Sequence, residues 1–160
     1  MRSVTKALLA ALLCASCGGE GGHSHDHDSH AEAGGHVHHA PHGGLLVVLG
    51  DEMAHVELLH EPDANSLTAW LLDGEAEKAL RSAQSGLTVV LEGEDGELEL
   101  VLEPQASTLT GETVGDTSEF RGVDEGLARP RELAGHIERV EVLGSTFENV
   151  TIEAEHDHDH

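Results

Sequence analysis

The chain has 160 residues, with 8 Lys+Arg against 31 Asp+Glu, a formal charge of −23. That length suggests one domain with appendages. The charge excludes a nucleic-acid binder, because the chain repels phosphate at every approach, and argues against docking on anionic lipid through protein charge. Trp70, Phe120 and Phe147 are the only aromatic residues, so a core must be built from Leu, Val, Ile and Ala; histidine, by contrast, reaches 14.

The N-terminus reads as an export signal. Arg2 and Lys6 precede a short apolar run at 7–13. No stretch approaches the roughly 20 apolar residues that span a bilayer, so a transmembrane chain is not expected. Ala15 and Ser16 stand directly before Cys17, with Gly18 and Gly19 after it. The pattern resembles a bacterial lipobox, which makes 1–16 a lipoprotein signal peptide and Cys17 the lipidated residue. The competing reading is an ordinary cleaved signal with Cys17 left free. Removal of 1–16 leaves 6 cations against 31 acids, a charge of −25. With Cys17 acylated no thiol remains, so disulfides and thiolate metal sites are excluded.

Residues 17–44 form a low-complexity tract of Gly, His, Asp, Ser and Ala. It carries His23, His25, His27, His30, His36, His38, His39 and His42. Its apolar content is too small to order it, which predicts a disordered tether between membrane and domain. Residues 155–160 (Glu-His-Asp-His-Asp-His) repeat that chemistry with His156, His158 and His160, and predict a second disordered tail.

Residues 45–154 read as a β domain, because the hydrophobic period is mostly two. An apolar run at 45–49 follows a Gly-Gly turn. Residues 53–60 alternate, with His55, Glu57 and Leu59 on one face and Ala54, Val56, Leu58 and His60 on the other. Residues 67–72 hold the only Trp. Runs at 87–91 and 97–102 flank a Gly-rich turn, and runs at 136–143 and 147–154 flank another, predicting two hairpins. The expected fold is all-β, a small antiparallel sandwich or barrel of about seven strands. Ala76, Ala79, Leu80 and Ala83 have helical spacing and predict a short helix within 75–84. Residues 104–132 read mostly as loop.

Imidazole is the commonest protein ligand for borderline metals, and the interleaved Asp either ligates or accepts the free ring N–H. Without thiols the tails suit Zn(II), Cu(II), Ni(II) or Co(II), with zinc or copper foremost. Flexible multi-His tracts take several ions weakly, which fits capture or hand-off better than a structural site. The bland alternative is a solvated linker. In the domain, His55 and Glu57 project from one strand face two residues apart, His42 lies just before the first strand, and His60 ends the strand on the opposite face. These four are candidate ligands of a domain site; polar residues on a solvated sheet face are the competing reading.

The run His39-Ala40-Pro41-His42-Gly43-Gly44, then Met53-Ala54-His55-Val56-Glu57-Leu58-Leu59-His60 and Leu71-Leu72-Asp73-Gly74, resembles a domain of bacterial envelope proteins. Its members occur as small His-rich lipoproteins or as the N-terminal part of periplasmic adaptors of heavy-metal efflux pumps of the resistance-nodulation-division type. The resemblance implies a small β domain, an envelope location and a link to metal handling. It carries onto His42, His55, Glu57 and His60 as ligands, and implies an extended segment at 75–84.

The expectation is a lipid-anchored lipoprotein facing the periplasm, on the outer membrane in preference to the inner. It would capture or buffer divalent metal and pass it to an efflux system. The alternative is an interaction module that docks on an efflux complex, with tails as spacers. No Gly-x-Ser-x-Gly, His-Glu-x-x-His or phosphate loop is present, so an enzyme is not expected.

Overall fold

The computed structural model describes residues 38–93 and 96–153. The signal, Cys17, the histidines up to His36, and His156, His158 and His160 lie outside them; of the tether predicted to be disordered, 38–44 is described and packs on the sheet, while the C-terminal tail lies outside.

Eight antiparallel strands form the domain: β1 (Leu45–Leu49), β2 (Ala54–Glu61), β3 (Ser66–Asp73), β4 (Leu87–Leu91), β5 (Leu98–Pro104), β6 (Glu119–Val123), β7 (Gly135–Val142) and β8 (Ser145–Ile152). Their order in the sheet is β1-β2-β3-β6-β5-β4-β7-β8. The all-β expectation holds, with eight strands rather than about seven. β3 to β6 form a Greek key, in which the meander β4-β5-β6 returns to lie beside β3. β8 comes back against β1, so the sheet is nearly closed. Among the described residues no helix is long and apolar enough to cross a membrane.

Alternation fills the interior. Val47 and Leu49, then Ala54, Val56 and Leu58, then Leu67, Ala69 and Leu71 point inward and meet Leu87, Val89, Leu91, Leu102, Phe120, Ile137, Val140 and Ile152. Both predicted hairpins form, β4 with β5 and β7 with β8. The second turns through Leu143 and Gly144, both at positive φ (52° and 75°), the two-residue connection whose twist suits antiparallel strands.

Two stretches differ from expectation. Residues 75–84 are extended, as the resemblance implied, and not helical, as their spacing predicted. Ala76 takes a left-handed φ of 55°, and Asp73 N–H donates to Lys78 O (2.8 Å), which turns the segment back onto the end of β3; Asp73 Oδ1 also accepts the N–H groups of Glu77 and Lys78. The chain then runs extended beside the end of β3, with Leu80 N–H donating to Leu71 O and Ser82 bridging Thr117. The region 104–132 contains β6, a strand too short and polar to stand out: only Phe120 and Gly122 face inward.

A buried carboxylate holds the loop before β6. Glu112 accepts hydrogen bonds from the Ser118 N–H (3.0 Å), the Ser118 hydroxyl (2.6 Å) and the Thr110 hydroxyl (2.7 Å), with the Arg81 guanidinium at 3.8 Å. Burial pushes this carboxyl up, but the Ser118 and Thr110 bonds and the Arg81 charge outweigh it and hold it below its ordinary 4.5. A depressed folded value contributes stability above the unfolded value, lost as pH falls through the folded one. The advantage of the wild type over Glu112→Gln is expected to be on the order of 1–2 kcal/mol at neutral pH. It should fade as pH drops below 4.5. Urea melts of both chains from neutral to strongly acid pH check this; a pH-independent difference would contradict it.

Candidate functional site

The described chain begins before β1, at residue 38. Residues 38–44, read from sequence as the end of the tether, lie over the outer face of β2 and β3. Pro41 sits at the second position of a turn that Gly43 N–H closes onto Ala40 O (3.1 Å), and Gly43 takes φ +78°. Gly44 then passes so close to β2 that a Cβ would run into the Leu58 carbonyl. The Pro-His-Gly-Gly run is thus the bend that lays the tract on the sheet.

Glu57 receives this segment. Its side chain is fully buried on the outer face of β2. Oε1 accepts the backbone N–H groups of His42 (2.8 Å) and Gly44 (2.9 Å), and Oε2 contacts His42 Nδ1 at 2.7 Å. The carboxylate can only accept, so Nδ1 is the protonated nitrogen that faces it, and Nε2 is the nitrogen Glu57 does not use. The His42 ring also stacks on Trp70, with centroids 3.9 Å apart and planes 11° from parallel. Trp70 stands directly opposite Glu57 in the β2–β3 register, which is why one ring reaches both. With its side chain 40% exposed, His42 keeps an edge toward solvent.

One pleat repeat along β2, His55 is buried at 1% exposure on the same outer face. Its Nδ1 lies 3.1 Å from Asp73 O, at the end of β3. The His38 ring packs against it, with centroids 4.9 Å apart and planes tilted by 56°. The Asp73 carboxyl titrates below its ordinary value, because Glu77 N–H and Lys78 N–H donate to it.

The four predicted domain ligands therefore part company. Glu57 is saturated by three N–H groups and orients His42, the part a carboxylate plays behind a metal-binding imidazole. His60 belongs elsewhere: it points to the opposite side of β2, and its Nε2 hydrogen-bonds Leu127 O at 2.8 Å. His39 is exposed, and His136 pairs within the sheet at the start of β7. Among the described residues no group of three His, Cys, Asp or Glu side chains converges to hold a metal ion. Neither face of β2 is a bare solvated surface, because 38–44 covers the outer one. Sequence reading missed Trp70 and the Asp73 carbonyl; both follow from the strand register, which local pattern does not reveal.

No family model matches the chain, and no curated protein or solved structure does either.

Proposed function

We propose that this protein is a lipid-anchored envelope lipoprotein that captures or buffers divalent transition metal at the periplasmic face and hands it to an efflux system. One observation carries the reading: eleven of the 14 histidines sit in two His/Asp tracts flanking the β domain, and no thiol remains once Cys17 is acylated. Such tracts bind by imidazole, several ions at a time and in Irving–Williams order. The domain supports the reading by fixing where the longer tract begins. The His42 clamp holds its end to the sheet, with Nε2 the ring nitrogen that Glu57 does not use. The likeness of the 39–44 and 53–60 segments to His-rich envelope lipoproteins and heavy-metal efflux adaptors points the same way.

A second reading is an interaction module with tails as spacers. The lack of three converging ligand-type side chains among the described residues favours it. Calorimetric titration of the non-acylated chain (Cys17→Ser) with Zn(II) and Cu(II) separates the two. On the first reading the chain binds several equivalents at micromolar metal. Most are lost when His23, His25, His27, His30, His36, His156, His158 and His160 become Ser. Absence of binding, or binding unchanged by those substitutions, would leave the second reading.

A further inference from the structure

We propose that His38 and His55 form a two-imidazole site for a single divalent transition metal, built where the tract meets β2. The proposal rests on the metal-handling reading above and assigns one ion of it to the fold rather than to the tails.

Begin with the tautomer. A backbone carbonyl only accepts, so the hydrogen bond to Asp73 O places the proton of His55 on Nδ1. The neutral ring then carries its lone pair on Nε2. An imidazole that donates its other N–H to a backbone carbonyl is the usual form of a metal ligand, with orientation fixed from behind. His55 meets that description while buried, on a strand paired along both edges.

The second ring is already in place. A metal about 2.1 Å from one nitrogen of each ring lies roughly 3.2 Å from each centroid, which at a tetrahedral angle sets the centroids roughly 5 Å apart. The centroids of His38 and His55 are 4.9 Å apart, and the rings are tilted by 56° rather than stacked. His38 does not have to be recruited from a free chain. The turn at Ala40 and Gly43, and the hold of Glu57 and Trp70 on His42, already fix the segment that carries it. That removes much of the ordering entropy a flexible tract would lose on binding. The net charge of −23 draws cations toward the surface. Asp73 Oδ1 is engaged by Glu77 and Lys78 and supplies no third ligand. Cu(II) binds tightest at such a site.

The test uses the full non-acylated chain with His23, His25, His27, His30, His36, His39, His156, His158 and His160 changed to Ser. Cu(II) is added and followed by electron paramagnetic resonance. One equivalent is expected at micromolar metal, with hyperfine structure from two nitrogens. His38→Ala and His55→Ala should each weaken it at least tenfold, and His60→Gln and His136→Gln should leave it unchanged. Should His55→Ala unfold the domain, seen in the Trp70 emission, His38→Ala on the covering segment carries the test alone. Failure of this chain to bind one Cu(II), or binding that survives His38→Ala, overturns the proposal. Multi-equivalent binding by the unaltered tracts would then still stand, so the two failures are distinguishable.

Discussion

Glu57→Ala is expected to cost about 3 kcal/mol of stability and to release residues 38–44 from the sheet. The carboxylate is wholly buried and satisfies three N–H groups at 2.7–2.9 Å. Alanine removes every acceptor at once and leaves a void under His42. Released, the His42 ring no longer covers Trp70, so the emission of the only tryptophan should shift to the red and become more open to acrylamide. Glu57→Gln separates charge from hydrogen bonding. Its Oε1 still accepts the two backbone N–H groups, and its amide donates to His42 Nδ1 after a tautomer change; a loss of roughly 1 kcal/mol is expected. Urea melts with parallel fluorescence measure both variants. Equal losses for Ala and Gln would show that the charge, not the bond network, holds the segment. An unshifted Trp70 emission in Glu57→Ala would show that the clamp does not depend on Glu57.

Phe120→Ala should be at least as damaging, on the order of 3–5 kcal/mol, because it empties a fully enclosed aromatic site. Phe120 stands between Ala69 of β3 and Pro104 of β5 and thus spans the join at which the Greek key closes. Ala69 stands opposite it, and Leu100 and Leu102 already fill the space beside Gly122, two residues on. Phe120→Leu keeps most of the volume and should cost about 1 kcal/mol. Denaturant midpoints give both values, with an unchanged slope showing that the unfolding remains two-state. A loss below roughly 1 kcal/mol for the alanine variant would mean that β6 is not integral to the core.

These two residues also mark how far the sequence could be read. Phe120 lies in a stretch whose composition says loop; a five-residue strand with two inward positions, one of them Gly, leaves almost no alternation to detect. Seven of the eight strands announced themselves as apolar runs or by alternation, although β2 and β3 are buried on both faces over most of their length. The helical spacing of Ala76, Ala79, Leu80 and Ala83 misled because propensity is weak beside pairing with a neighbouring strand: Asp73 N–H donates to Lys78 O, Leu80 N–H to Leu71 O, and Ala76 takes a left-handed φ of 55°. The pairing of His55 with Glu57 on one face was legible from alternation. Their burial was not, since it depends on a glycine-rich segment folding back over them. His60 was marked by its sequence neighbours rather than its face, and the Leu127 carbonyl that engages it is 67 positions away.

The most direct test of the account is the metal content of the protein isolated from its own cells without chelator and measured by mass spectrometry of the elements. The account predicts more than one atom of zinc, copper, nickel or cobalt per chain, lowered when the tract histidines are replaced by serine. Protein that emerges free of these metals from metal-replete cells would contradict it.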